Sequence, residues 1–446
     1  MNLPTTTAVT NLVITDEFQR VLDLVQTTQN HILITGKAGT GKSTLLGLLR
    51  SQTQKSVVVL APTGLAAINV QGQTIHSFFH FAPNISIAEA IGIGLKRRKT
   101  KLFQALELLI IDEVSMVRAD ILDCVDAFLQ AAKGNTSPFG GVQTIFIGDL
   151  YQLPPVLRQE EMAEFRQRYA SGYFFSAGVI QQLTSDLLGA WNYIELSHVF
   201  RQSDQHFIDL LNNVRHGTDV SQSLQILNQQ VLKFSQQLPE HTIVLCTTNK
   251  TADSVNLQNL MALESDEYMY KGQTIGDFAE RDMPTQFRLL LKPGARVMCV
   301  KNDAKGKWVN GTLGTVVETK PGVVVIQIDD GAEVEVLAET WNQTRMEFNT
   351  EKNALEQKIV GSFTQIPLKL AWAITIHKSQ GQTFDRLVLN LENGAFSAGQ
   401  TYVALSRCRT LEGLHLTRPI RISDVKTDPI VTRFFQWLES TIQQSK

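Results

Sequence analysis

The sequence predicts an α/β chain of two P-loop-type lobes, each on a parallel sheet, with a small β module inserted in the second. Three observations predict it. Residues 36–43 read Gly-Lys-Ala-Gly-Thr-Gly-Lys-Ser, a glycine-rich phosphate loop between an apolar run and a helical pattern. Short apolar runs alternate with helical patterns in two separate series, the rhythm of βαβ units. Between about 296 and 367 that rhythm gives way to alternating, strand-like pieces.

In the first series the runs are Ile32–Thr35, Val57–Ala61, Leu108–Ile111 and Thr144–Ile147, and Ser43–Leu49 is helical in pattern. Each run is apolar at successive positions, as strands covered by helices on both faces are. The second series is Thr242–Cys246, Leu370–Ile374 and Arg386–Leu391. A boundary near 184 follows. The first lobe is expected over 1–183, with a small insertion at about 64–80, and the second over 184–295 and 368–446. The β module fills 296–367. Within it Val323–Ile328 and Ala332–Leu337 read as strands joined at Asp330-Gly331, a pair suited to positive φ. Val297–Val300 and Gly311–Val317 add strands, and the module reads as a small β-barrel. The runs at 242–246 and 370–374 are expected side by side, so the intervening chain leaves the lobe and returns.

At 446 residues the chain exceeds one domain of about 100–200 residues. A net charge of −2 argues against a protein that coats duplex nucleic acid, but leaves room for a narrow basic channel along one strand. Cys124, Cys246, Cys299 and Cys408 form no Cys-x-x-Cys pair and read as reduced, buried thiols, with no disulfide framework and no zinc site. No apolar stretch is long enough to span a bilayer, and Met-Asn-Leu-Pro-Thr-Thr-Thr at the start lacks the features of a signal peptide. The expected location is cytoplasmic, beside the nucleoid in a bacterium. Lys96-Arg-Arg-Lys99 reads as a solvated surface run.

The chemistry begins at the phosphate loop. Its glycines, Gly36, Gly39 and Gly41, let backbone N–H groups wrap phosphates, with Ala38, Thr40 and Thr44 in the same cradle, and the following helix N-terminus adds partial positive charge. Lys42 would neutralise the β- and γ-phosphates of ATP, and the Ser43 hydroxyl would ligate Mg²⁺. Asp112 closes an apolar run, where its carboxylate can hold the same ion, and Glu113 is placed to activate the attacking water. Gln152 follows a third run and could sense the γ-phosphate. Pro154 and Pro155 stiffen the loop beyond it.

Gly148-Asp-x-x-Gln-Leu-Pro-Pro155, preceded by Asp112-Glu-Val-Ser-Met116, resembles superfamily-one helicases and, more narrowly, the Pif-type DNA helicases of the 5′–3′ group. The likeness runs nearly end to end. Ala61-Pro-Thr-Gly64 and Gly72-Gln-Thr-Ile-His76-Ser-Phe78 resemble the first DNA-contact motifs. The stretch Ala119–Gln143 resembles the segment that marks the family. Val199-Phe-Arg201-Gln202, Ala371–Thr383 and Gln400-Thr-Tyr402-Val-Ala-Leu-Ser406-Arg407 resemble the fourth to sixth motifs.

The resemblance implies two RecA-like lobes and an SH3-like insertion. It implies that Arg201 and Arg407 reach the γ-phosphate from the second lobe, that Gln19 reads adenine, and that Gly381 belongs to the nucleotide site. Thr63, Gly64, Thr74, His76, Phe78, His377 and Lys378 become DNA contacts, with Phe78 either a base stack or core, and Pro154 and Pro155 become a wedge. The implied partners are single-stranded DNA and forks, engaged by a monomer, in replication, repair or recombination, with telomere maintenance among the family's tasks. Other readings are a protein-remodelling ATPase, a single-strand or RNA translocase that does not unwind, and a non-catalytic binding module. Nucleic-acid-stimulated hydrolysis separates the first from a helicase. A strand-displacement assay tests the second, and the complete phosphate site argues against the third.

Overall fold

The structure, a computed structural model, describes residues 14–185, 191–202, 204–232, 242–329, 331–352 and 354–444. Asp330 of the expected turn and the first residues of the chain lie outside them.

Helix α1 (Asp16–Thr27) starts at Thr15, whose hydroxyl accepts the Phe18 N–H, and buries Phe18, Val21, Leu22 and Val25. Strand β1 (His31–Gly36) is buried throughout and runs into the phosphate loop, which opens α2 (Lys42–Gln52). Then come β2 (Val57–Ala61), α3 (Gly64–Asn69), β3 (Gln73–Thr74), α4 (Ile75–Phe79), β4 (Leu108–Ile111), β5 (Gln143–Gly148) and β6 (Trp191–Leu196). They form one parallel sheet in the order β3-β2-β4-β5-β1-β6. The carboxyl ends of β1, β4 and β5 thus lie together, where open α/β sheets bind ligands.

The first sheet extends beyond the expected boundary at 184. β6 pairs with β1 along its full length, from His31–Trp191 to Gly36–Leu196. Only Ile194 and Leu196 of this edge strand are buried, so it shows no continuous apolar run.

Helix α5 (Gln205–His216) precedes β7 (Ile243–Cys246). The chain then leaves through β8 (Tyr268–Lys271), β9 (Gln273–Gly276), β10 (Arg288–Leu291), β11 (Arg296–Cys299), β12 (Leu313–Lys320), β13 (Val323–Ile328), β14 (Glu333–Leu337), β15 (Glu339–Asn349), β16 (Ala354–Gln365) and β17 (Leu368–Leu370). It returns as β18 (Ala373–Thr375), β19 (Leu387–Asn390), α6 (Gln400–Leu405), β20 (Leu414–Leu416) and α7 (Pro429–Gln444). The second parallel sheet has the order β18-β7-β19-β20. The run Leu370–Ile374 is not one strand. Leu370 pairs with Val297 in the inserted sheet, while Ala373 pairs with Val244 in the lobe, and the Ala371 N–H donates to the Arg296 carbonyl between them. Every residue of that run is apolar, so periodicity hides the break.

The inserted strands form an antiparallel sheet, β14-β13-β12-β11-β17, with Arg296 paired to Asp329 at its side. Its companion hairpin, β15–β16, crosses to the first lobe. Met346 and Leu355 pack on that lobe's core, Gln73 donates to the Thr344 carbonyl, Gln357 donates to the Gln71 carbonyl at 3.0 Å, and the Lys101 ammonium lies 5.5 Å from the Phe348 ring centre. Helix α7 crosses too, stacking Phe434 on Phe175 at 4.1 Å and Phe435 on Tyr151 at 5.3 Å. The lobes are therefore stapled twice, beyond their cleft.

Candidate nucleotide site and nucleic-acid cleft

In the phosphate loop Gly39 and Gly41 sit at φ 82° and 81°, a region costly for residues with a Cβ. At Gly39 space is also decisive, because a Cβ there would lie 2.5 Å from that of Arg201. The Phe200 N–H donates to the Gly39 carbonyl at 2.8 Å, so the chain carrying Arg201 is bound directly to the loop. Lys42 folds back on that loop, donating to the Gly36 carbonyl at 2.7 Å and the Lys37 carbonyl at 2.9 Å. Burial holds its pKa below the ordinary lysine value, with Asp149, Glu113 and Asp112 opposing.

Asp112 leaves the end of β4 and is buried; Glu113 beside it is half-buried, at φ 50°. Burial raises both carboxyls above the usual range. For Glu113 the pKa is pushed up to about 7, the Asp112 charge adding to the desolvation and Lys42 opposing it. Ser43 is exposed at the start of α2. A hydroxyl and a carboxylate are both hard oxygen donors, a set that suits Mg²⁺ completed by phosphate and water.

Two guanidinium groups approach from the far side. Arg201 donates to the Ser406 carbonyl at 3.2 Å. Arg407, fully buried, donates to the Val403 carbonyl at 3.0 Å and the Ser406 hydroxyl at 2.9 Å. Burial, and then the Arg201 charge, bring its pKa down to about 9. Two cations held by carbonyl and hydroxyl oxygens make a site suited to an anion.

A further buried group, absent from the residues expected above, adjoins the site. Asp149 follows β5 and is buried; it accepts from Arg215 (Nη2, 3.0 Å), Gln152 (Nε2, 3.2 Å) and the Tyr402 hydroxyl (3.1 Å). Asp149 and Tyr402 stand inside quoted motifs, but Arg215, near the end of an amphipathic helix, carries no local signal. Its partner is 66 residues away.

A cavity of about 940 Å³ opens next to α3 and α4. Gly64, Thr74 and His76 line it from the first lobe, Phe278 from the loop after β9, and Trp341 and Arg345 from β15. Thr63 caps α3 by accepting the Ala66 N–H and lies outside the lining, whereas Thr74 both caps α4 and faces the cavity. His377 and Lys378 also lie outside it; His377 is half-buried against Phe396, with ring centres 6.3 Å apart, and Lys378 is exposed. Gly381 is exposed at φ 76° beside Asn69 of α3. Gln19 is exposed and donates to Asp23, within its own helix, at 2.8 Å. Pro154 is half-buried and Pro155 buried, so the residue this loop presents is Val156, 70% exposed and on the cavity wall.

Phe78 requires a correction. It is 3% exposed, packed edge-on to Phe79 at 4.8 Å and Phe103 at 5.5 Å, and so belongs to the core rather than to a base stack. Helix α4 turns its polar His76 outward and its phenylalanines inward, which the one-letter pattern of a motif does not reveal. Phe78→Ala is expected to lower stability by about 3–5 kcal/mol. Affinity of the folded protein for single-stranded DNA should change less than about threefold. Thermal melting with fluorescence anisotropy checks this, and a large affinity loss at unchanged melting temperature would restore the stacking role.

A family model described as PIF1-like helicase matches residues 13–224. The chain is 32% identical over 428 residues to the ATP-dependent DNA helicase Pif1 of Bdellovibrio bacteriovorus, covering 94% of this chain and 90% of that protein. It is 35% identical to the ATP-dependent DNA helicase PIF1 of Danio rerio over 89% of this chain, which spans 60% of that longer protein. Among solved structures, Bacteroides sp Pif1 in complex with ADP-AlF4 superimposes with a TM-score of 0.85 at 36% identity, covering 96% of this chain and 98% of that one. The same protein bound to single-stranded DNA gives a TM-score of 0.67 at the same coverage.

Proposed function

Because the chain belongs to the PIF1-like helicase family, and is an ATP-dependent DNA helicase, we propose that it moves 5′–3′ along single-stranded DNA held in the cleft beside α3 and α4. One observation carries the coupling. β2, which leads into Thr63 and Gly64, is the direct neighbour of β4, which leads into Asp112 and Glu113; Leu60 pairs with Ile111, and the Asp112 N–H donates to the Leu60 carbonyl at 2.9 Å. The hydrolysis site and the DNA cleft therefore share adjacent strand ends, and a shift at one is a shift at the other.

In this reading the loop N–H groups and Lys42 hold the phosphates, and Ser43 and Asp112 would hold Mg²⁺, which neutralises phosphate charge when bound. Glu113 takes a proton from the attacking water. Gln152 sits one hydrogen bond from Asp149, poised beside the γ-phosphate, and Arg201 and Arg407 stabilise the charge that spreads over its oxygens. Ligand-bound forms of the Bacteroides protein, one with ADP-AlF4 and one with single-stranded DNA, support both halves of the reading.

The test is strand displacement on matched duplexes bearing a 5′ or a 3′ single-stranded tail. Only the 5′-tailed duplex should open, and only with ATP. Opening of 3′-tailed duplexes alone would overturn the direction. ATP hydrolysis indifferent to single-stranded DNA would favour the protein-remodelling alternative.

A further inference from the structure

Around Asp149 six groups from both lobes meet in a buried, fully bonded cluster. The carboxylate accepts from Arg215 of α5 (Nε at 3.3 Å, Nη2 at 3.0 Å), from the Tyr151 N–H at 3.2 Å, from the Gln152 amide at 3.2 Å and from the hydroxyl of Tyr402 in α6 at 3.1 Å. The same hydroxyl accepts the backbone N–H of Ala38 at 3.0 Å. The Arg215 guanidinium lies over the Tyr151 ring at 4.4 Å. Asp149, Arg215 and Tyr402 are 1%, 3% and 3% exposed, so water does not screen these bonds. A Cβ at Gly399, just before α6, would collide with the Tyr151 and Gln152 carbonyls, which shows how tightly the second lobe is seated here.

We propose that Tyr402 and Arg215 are positioning residues that report the occupancy of the phosphate loop to the second lobe through Asp149. The inference rests on the nucleotide-site reading above. Its basis is a competition. The Ala38 N–H has one hydrogen, and in this structure a neutral phenol oxygen holds it. A phosphate oxygen is an anionic and stronger acceptor. The loop N–H groups at the α2 N-terminus are already suited to hold phosphate. Ala38 lies on the strand side of the loop and shares Tyr402 with Asp149, the partner of Gln152, so the γ-phosphate is its competitor. When that phosphate takes the N–H, Tyr402 keeps only its bond to Asp149, and Arg215 holds that carboxylate in place. The second lobe thereby loses one tie to the loop at the step when its arginines engage. After the γ-phosphate departs, the tie re-forms.

Tyr402→Phe keeps the ring and its packing and deletes both bonds. Equilibrium binding of ADP and of a non-hydrolysable ATP analogue, β,γ-imido-ATP, gives the main readout. The analogue-to-ADP affinity ratio should rise about 3- to 10-fold, the weight of one displaced hydrogen bond. Base pairs opened per ATP hydrolysed should fall at least about threefold, because the second lobe no longer follows the phosphate. Arg215→Gln should lower the same coupling, and Arg215→Lys should restore part of it, since an ammonium still neutralises Asp149 without the fork of a guanidinium. Melting temperature is followed for all three. A general loss of stability would weaken both nucleotides together, so an unchanged ratio in folded Tyr402→Phe overturns the proposal. If the wild-type protein bound neither nucleotide, the nucleotide-site reading would fall, and this inference with it.

Discussion

Glu113→Gln is expected to cut DNA-stimulated ATP turnover by about 10²–10⁴-fold, the range for loss of a general base. The side chain stays nearly isosteric, so Lys42, Ser43 and Asp112 keep their places and nucleotide affinity should change little. Removing one charge from the Asp112–Glu113 pair also relieves their repulsion, so ATP affinity should hold or rise. Phosphate release at saturating single-stranded DNA measures the first effect, and binding of a fluorescent nucleotide the second. Turnover near the wild-type rate would remove Glu113 from the role of base. A parallel loss of binding would mean that the carboxylate builds the site rather than works in it.

Arg201→Ala is expected to lower turnover by about 10³-fold or more, the usual weight of an arginine on a transferring phosphoryl group and about 4 kcal/mol of barrier. Arg201 is the sharper test of the pair. Its Cβ packs against Gly39, and among the described residues its guanidinium bonds to one carbonyl, that of Ser406. Truncation therefore leaves little unsatisfied. Arg407 is fully buried and bonded to Val403 and Ser406, so its removal would also disturb the second lobe. Arg201→Lys should recover only a minor part of the rate, because an ammonium brings charge without bidentate geometry. ATP affinity should fall less than about tenfold, since the largest gain comes as charge spreads in the transition state. A variant that loses affinity in proportion to rate would make Arg201 a ground-state binding group instead.

Much of the nucleotide site was legible because it is local. A phosphate loop is eight consecutive residues whose backbone does the binding, and the turn needs glycine at φ near +80°, as Gly39 and Gly41 adopt. Asp112 and Glu113 are legible for a related reason, since a fully buried strand, Leu108–Ile111, delivers them to its end. Resemblance supplied an expectation that spacing could not, that Arg201 and Arg407 face a loop some 160 to 370 residues earlier in the chain, and the structure seats Arg201 against Gly39 of that loop. Where motif letters were read as contacts, burial intervened. Phe78 and Pro155 sit inside, and the residues those elements turn to the cavity are their neighbours, half-buried His76 and exposed Val156.

The sequence by itself determined the two series of βαβ units, the phosphate loop and the carboxylates facing it, because each is set by residues within one strand or turn. Only the tertiary structure decided which sheet claims β6, where the run at 370–374 breaks, that β15–β16 and α7 reach back to the first lobe, and that Arg215 and Tyr402 meet at Asp149. These depend on pairings such as Arg215 with Asp149, 66 residues apart, and Phe435 with Tyr151, 284 apart, in which each partner alone is an ordinary edge strand, a surface-type cation or a core aromatic. A buried carboxylate must find its counter-charge wherever the folded chain brings one, and that place is fixed by packing rather than by spacing along the chain.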